Sequence, residues 1–289
     1  MSETNVLIFS LLGGIIPAFF WLWFWIREDR LRPEPQSTLF SAFVGGIIAV
    51  LLALFFEQII YYLWADADPN MINGFPNSLK VFLQNLVNNN NLLNFQTNFW
   101  GQIQNSLNNL NFSHNFNFDI RKMFLVVIIA PIIEELLKLV MTYNICLRRK
   151  VNDEPIDASI YMLTAALGFA AIETALIITE PFSKGNISNT LIAINFRSVG
   201  PMLIHLISSS VLGLFIGLAF YKSRIKKFLY LIFGLISAVI LHSLFNFFIM
   251  LNDSTRNIAY FWTACLGTWI LVVVLLVFFE KVKKVVKKR

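Results

Sequence analysis

Charged residues are scarce in this sequence. They make up 14% of its 289 residues, whereas an average soluble domain has about 25%. Hydrophobic residues make up 57% of the chain, and Phe alone occurs 29 times. So little polar surface excludes a soluble globular domain of this length. We therefore expect lipid to surround most of the chain.

Cysteine is rarer still, and the familiar nucleotide-binding and zinc-finger spacings are absent. Cys146 and Cys265 fall near opposite faces of the membrane on the topology predicted below. This placement argues against a disulfide between them. The formal net charge of +6 lies in short basic tracts beside apolar runs, which argues against a nucleic-acid partner and favours the lipid bilayer.

Long apolar runs, in contrast, are abundant. They predict an all-α transmembrane bundle of about seven spanning helices, forming a single integral membrane domain over residues 1–289. The predicted spans are 5–26, 39–62, 123–146, 158–179, 198–221, 228–250 and 258–279. Lys and Arg are concentrated in alternate connections and in the C-terminal tail. By the positive-inside rule the N-terminus lies outside and the C-terminus in the cytoplasm.

One segment differs in composition from the rest of the chain. Residues 65–118 are rich in Asn, including the run from Asn88 to Asn91. Several apolar residues recur there at helical spacing, which is typical of an amphipathic helix on a membrane surface. A compositionally biased insertion without a special role is the alternative. On the predicted topology the segment lies on the outer side, between helices two and three.

The predicted spans contain ionisable residues that need an explanation. A charge near the bilayer centre costs at least about 2.5–3.5 kcal/mol on insertion scales. The polar residues concerned are Glu134, Glu135 and Lys138 in helix three, Glu173 in helix four, His205 in helix five, and His242 and Asn246 in helix six. Glu57, at the outer end of helix two, is expected to be interfacial.

These residues are predicted to lie at one depth. With a rise of 1.5 Å per residue, Glu134 lies roughly 16 Å and His205 roughly 10 Å below the outer surface. Glu173 and His242, on helices that run the other way, lie roughly 8 Å and 12 Å below it. Arg197, Pro201 and His205 are spaced by four, which predicts one shared helix face. The arrangement indicates a site in the outer half of the membrane.

A carboxylate and histidines in such a layer suit peptide hydrolysis. The carboxylate can take a proton from water and return it to the leaving amine. On this hypothesis Glu134 activates the water, and Glu135 or Lys138 tunes it. His242 with Asn246 stabilises the tetrahedral intermediate, because both are suitable hydrogen-bond donors to an oxyanion. His205 orients the water or carries a proton.

The same residues carry a resemblance to a known family. The chain has Glu-Glu-x-x-Lys from Glu134, Phe-x-x-x-Glu ending at Glu173, and His-x-x-x-Asn from His242 to Asn246. In order and spacing these motifs resemble the PrsW family of intramembrane proteases, which is grouped with CAAX prenyl proteases and bacteriocin-processing enzymes. Asp29-Arg30-Leu31-Arg32-Pro33-Glu34-Pro35 and Arg197-x-x-x-Pro201-x-x-x-His205 also fit. The last motif ends in Asn, as in the CAAX branch, where a PrsW-like pattern carries Asp.

The resemblance implies an endopeptidase in a bacterial cell membrane that cleaves membrane-associated proteins. Its implied site residues are Glu134, Glu135, Glu173, His205 and His242. The PrsW branch is associated with cleavage, on the outer side, of single-span regulators such as anti-sigma factors. The substrate would therefore be a membrane protein.

Three alternatives stay open at this point. The first is a zinc-dependent version of the same protease, with Glu134, His205 and His242 as ligands. We favour a mechanism without a metal, because no His-Glu-x-x-His motif is present and Lys138 would oppose a dication. The second is a proton-coupled carrier, which the lack of an internal repeat disfavours. The third is a non-catalytic scaffold or immunity protein.

Overall fold

A computed structural model describes residues 3–27, 33–64 and 123–285, and most of these residues are in α-helices. No strand occurs in these ranges. The α-helices are α1 (Glu3–Ile26), α2 (Gln36–Trp64), α3 (Ala130–Thr142), α4 (Asp157–Ser183), α5 (Ile187–Val199), α6 (Pro201–Leu218), α7 (Arg224–Thr255) and α8 (Ile258–Val282). The asparagine-rich segment 65–118 lies outside the described residues.

The predicted all-helical membrane bundle is confirmed. Within the described residues, six helical stretches are long and apolar enough to cross a membrane. They include α1, most of α2, α4, the α5–α6 pair, α7 and α8. The predicted third span is a composite helix that covers residues 123–147 and is built around α3. The orientation of the termini stays a prediction.

The composite third helix combines two helical geometries. α3 has 13 residues and is flanked by π-helical segments over Leu125–Ile129 and Tyr143–Leu147. Pro131 lies in its first turn, where a missing N–H is tolerated. π-Helical turns are rare and frequently accompany functional sites. Glu134, Glu135 and Lys138 all lie in α3, between the two π-helical segments.

The predicted fifth span is wrong in one respect. A single helix from residue 198 would place Arg197, Pro201 and His205 on one continuous face. The structure instead ends α5 at Val199 and begins α6 at Pro201. Gly200 between them has non-helical dihedral angles, φ −122° and ψ −88°. Proline favours the first turn of a new helix and lacks the N–H that a continuing helix needs, which explains the break.

The helices α4 and α6 form the centre of the bundle. The most apolar stretch of α4 is 78% buried, compared with 22% for α7. α1 and α2 pack on one side of α4, α7 and α8 pack on α6, and α3 lies between α2 and α7. Gly46 and Gly168 permit close contact of α2 with α4, because a Cβ at either glycine would collide with a backbone carbonyl of the facing helix. Polar residues on α3, α4 and α6 are thereby held inside the bundle.

Candidate active site

Glu135 is the most enclosed of the acidic residues. Its side chain is fully buried, and Lys138 Nζ donates to its Oε1 at 2.8 Å. Ser208 Oγ donates to the same oxygen at 2.9 Å, and Ser209 Oγ donates to Oε2 at 2.7 Å. His242 Nδ1 lies 3.2 Å from Oε1. Glu135 therefore ties α3 to α6 and α7 and has little capacity for a further partner.

A chain of charged contacts extends from Lys138 to the edge of the cluster. Lys138 Nζ lies 2.9 Å from Nδ1 of His205, and an ammonium can only donate. We therefore assign the ring hydrogen to Nε2, which donates to Glu173 Oε2 at 2.8 Å. Arg197 Nη2 contacts the same carboxylate at 3.0 Å. Arg197 thus reaches Glu173 from α5, although the predicted continuous helix face does not exist.

Aromatic contacts hold the side chains at the centre of this series of charged contacts. Lys138 Nζ lies 4.2 Å from the centroid of the Phe169 ring, within the range of a cation–π interaction. The rings of His205 and His242 meet edge to face, with centroids 4.6 Å apart. Both histidines are almost completely buried. The ammonium and the two imidazoles consequently have little freedom to move.

Glu134 differs from its neighbour in having an unused oxygen. Its Oε2 is buried and has no hydrogen-bond partner among the described residues. Three nitrogens surround this oxygen at longer range: His205 Nδ1 at 3.6 Å, Lys138 Nζ at 3.7 Å and His242 Nε2 at 3.9 Å. The side chain as a whole is 12% exposed, whereas Glu135 and Lys138 are 0% exposed. Glu134 is therefore the member of the pair that a small molecule can reach.

Asn246 has no hydrogen bond to the charged residues of the cluster among the hydrogen bonds of the described residues. It follows His242 by one helical turn on α7, and its Nδ2 donates to the carbonyl oxygen of Val126 at 3.2 Å. Val126 belongs to the π-helical segment that precedes α3. The second hydrogen of this amide has no acceptor among the hydrogen bonds of the described residues. The structure thus brings together Glu134, Glu135, Glu173, His205 and His242, with Asn246 at their margin.

Sequence reasoning missed several residues of the cluster. Ser208 and Ser209 hold Glu135, but serine is common in membrane helices and gave no distinctive signal. Glu57, which was expected at the membrane interface, is the last residue of a candidate span. Its Oε1 is buried without a hydrogen-bond partner in the described part of the chain, and this burial was not predicted. The spacing of Glu57 from Ala49 and Ala53, four residues a step, was the available signal for a position on the packed face of α2.

Three of these residues fit a divalent metal ion by donor type. One ligand atom from each of Glu134, His205 and His242 lies within 4.8 Å of the others, and all three residues are buried. The unpaired Glu134 Oε2 and the contact between His242 Nδ1 and Glu135 also suit a metal site, where a second carboxylate usually orients a ligating imidazole. Lys138 opposes it, because its ammonium already contacts His205 Nδ1.

A buried cluster of carboxylates and imidazoles inside a bundle of membrane-spanning helices indicates a functional site, because ionisable residues are costly in a membrane. Residues 95–280 match the family of PrsW intramembrane metalloproteases, and the chain belongs to that family. It is an integral membrane protein, and its family membership supports an intramembrane protease. No curated protein matches the chain, and no solved structure does.

Proposed function

We propose that the protein is an endopeptidase that hydrolyses peptide bonds of membrane-associated proteins with a water activated by Glu134. The observation that carries this proposal is the contrast within the Glu134–Glu135 pair. Glu135 is surrounded by hydrogen-bond donors, while Glu134 Oε2 is buried, unpaired and faced by three nitrogens. A general base needs an oxygen that is free to accept a proton, and Glu134 meets that need.

The proposed water would hydrogen-bond to both Glu134 and His242. Glu134 Oε2 and His242 Nε2 are 3.9 Å apart, and a neutral His242 that donates from Nδ1 to Glu135 has a lone pair on Nε2. A water between them would donate one hydrogen to each. His242 then orients the water as an acceptor, and this role replaces the oxyanion-donor role that the sequence suggested.

In the proposed hydrolysis, Glu134 transfers a proton from the water to the leaving amine. Glu134 removes a proton from the water as its oxygen bonds to the scissile carbonyl carbon. The free hydrogen of the Asn246 amide supplies a donor to the resulting oxyanion. The carbon–nitrogen bond breaks as the proton on Glu134 passes to the leaving amine. The products are a new carboxyl group and a new N-terminus, and Glu134 returns to its starting form.

The other charged residues have positioning roles in this proposal. Glu135 holds Lys138 and His242, and Glu173 holds His205 in the tautomer that accepts from Lys138. The Lys138 ammonium, 3.7 Å from Glu134 Oε2, stabilises negative charge on that carboxylate. Preorganised charges of this kind act strongly in a site that excludes most water.

A metal-dependent form of the same reaction is the second candidate, and the Glu134–His205–His242 triad supports it. These three residues would hold the ion. A bound zinc ion would polarise the scissile carbonyl and lower the pKa of a coordinated water. The close contact between Lys138 and His205 makes us place the metal-free form first.

The predicted topology places this site in the outer half of the bilayer. Single-span regulators such as anti-sigma factors, cut near the outer end of their span, are the substrates we propose.

The test compares membrane-protein N-termini by mass spectrometry in cells expressing the wild type or Glu134→Gln at matched levels. We expect new N-termini near outer span ends with the wild type alone. Identical N-termini in both strains would overturn the proposal.

A further inference from the structure

Glu57 on α2 is a partly buried acid that the proposed mechanism does not use. Its Oε1 is buried and has no hydrogen-bond partner among the described residues. Its carboxyl group interacts electrostatically with Glu134, Glu173 and Lys138, so it lies in the neighbourhood of the cluster. A buried carboxyl oxygen without a hydrogen bond is costly, and an ionisable residue in a membrane span is by default a candidate functional residue.

The face of α2 that carries Glu57 is directed at the site. Ala49, Val50 and Ala53 are buried on this face and pack with Phe169, together with partly buried residues of α3 and α4. Glu57 follows Ala53 by four residues, so it lies on the same face one turn further along. The helices against which this face packs carry Glu134 and Glu173. Glu57 therefore borders the space that a substrate must occupy.

A substrate segment in this space needs hydrogen-bond acceptors. A peptide bond can be attacked only where the substrate chain is unwound, and unwinding leaves backbone N–H groups without partners. Glu135 and Glu173 are already engaged by donors, and Glu134 is assigned to the water. Among the acids around the cluster in the described ranges, Glu57 has the remaining unpaired buried oxygen.

We infer that Glu57 binds the substrate backbone, accepting a hydrogen bond from an N–H group beside the scissile bond. The inference rests on the proposed function and assigns a substrate-binding residue to the same site. A carboxyl oxygen with no internal partner is preorganised for this contact, because no existing hydrogen bond has to break first. Binding the unwound segment also favours the conformation that the water attacks.

Replacement of Glu57 tests the inference. Glu57→Leu removes both acceptor oxygens at similar side-chain size, and Glu57→Gln keeps a carbonyl acceptor. The probe is a fluorogenic peptide spanning the most abundant junction that depends on the wild type in the N-terminus comparison. We expect Glu57→Leu to lower kcat/KM roughly tenfold to a hundredfold, which corresponds to one lost hydrogen bond to a charged group. Glu57→Gln keeps a neutral acceptor and should lose less, about threefold to tenfold.

The melting temperature separates binding from a structural role. Removing an unpaired, partly buried acid should leave the melting temperature of Glu57→Leu in detergent unchanged or raised. Full cleavage by Glu57→Leu overturns the inference. So does a cleavage loss accompanied by a lower melting temperature, because Glu57 would then stabilise the fold. Equal losses in the Leu and Gln variants also overturn it, since Gln retains an acceptor.

A second measurement covers a Glu57→Leu variant that fails to accumulate. With an added oxidant such as diamide, Glu57→Cys in the Glu134→Gln background should form a disulfide with a substrate cysteine placed within a few residues of the cleaved bond. Crosslinks only to distant positions, or none, overturn the inference. If Glu134→Gln is inactive while Glu57→Leu is fully active, the inference about Glu57 is overturned and the proposed function stands. Equal cleavage by the wild type and Glu134→Gln removes both.

Discussion

Lys138 and His205 contact each other across two helices, with Nζ of the lysine 2.9 Å from Nδ1 of the imidazole. The contact determines which ring nitrogen carries hydrogen, because the ammonium has no lone pair to offer. It also places a positive charge beside Glu134 and His205, two of the three residues that a metal ion would bring together. The following predictions test the roles that this arrangement suggests.

Glutamine at positions 134 and 135 should have different effects. Glu134→Gln should reduce cleavage by roughly 10²- to 10⁴-fold, as expected for loss of a general base, and leave the melting temperature nearly unchanged. Glu135→Gln removes the charge that balances buried Lys138, so it should destabilise the fold by about 3–5 kcal/mol as well as reduce cleavage. Cleavage kinetics and thermal unfolding in detergent measure the two effects.

The control for this pair is Glu280→Gln on α8, which removes an exposed partner of Lys283. An exposed ion pair contributes little, so both readouts should match the wild type. A Glu135→Gln variant with wild-type stability and no activity would contradict the assignment of Glu134 as the base.

Three consecutive serines on α6 provide a test of how Glu135 is held. Ser208→Ala and Ser209→Ala each remove a hydrogen bond to the carboxylate, and each should cost about 1.5–3 kcal/mol of stability. Ser210→Ala is the matched control, because Ser210 Oγ is buried without a hydrogen-bond partner in the described residues. It should be neutral or slightly stabilising. Equal melting temperatures for all three variants would contradict the structural role of Glu135.

Glu173 should act on the rate through His205. Glu173→Gln keeps the size of the side chain and removes the charge that His205 Nε2 and Arg197 share. We expect kcat to fall roughly 10- to 100-fold while KM changes little, because the residue orients a neighbour and does not contact substrate. Steady-state kinetics on the fluorogenic peptide measure both constants. A change in KM alone would instead indicate that Glu173 binds substrate.

The meeting of the ionisable residues inside the bundle could be predicted because charges stand out in apolar sequence. Glu134, Glu173 and His242 are conspicuous in their helices, and a constant rise per residue gives their depth. The roles of Ser208, Ser209 and Glu57 could not be predicted in this way, because they depend on which helix each residue faces. The helix break at Gly200 was missed because Gly and Pro are both tolerated inside membrane helices. The sequence also could not show that Glu135, and not Glu134, is surrounded by hydrogen-bond donors, because this depends on tertiary packing.

Asn246 should matter for the chemical step. Asn246→Ala removes the amide hydrogen assigned to the oxyanion, and loss of one such donor typically lowers kcat by about 10²- to 10³-fold. Asn144→Ala is the matched control, because Asn144 also donates from Nδ2 to a helix carbonyl but lies away from the cluster. Single-turnover rates separate chemistry from binding. A loss of stability equal in both variants, with unchanged turnover, would show that the amide only joins helices.

Metal removal decides between the two forms of the mechanism. We expect cleavage to survive dialysis against EDTA and 1,10-phenanthroline, because the Lys138 ammonium contacts His205 Nδ1 and repels a dication at that nitrogen. Lys138→Met removes this obstacle, so the variant should bind zinc more tightly than the wild type in a direct metal titration and should still lose cleavage, since the charge near Glu134 is gone. Cleavage that is lost on chelation and restored by zinc would reverse the order of the two candidates. Glu134, His205 and His242 would then be ligands, and the base would have to be sought among the remaining acids of the cluster.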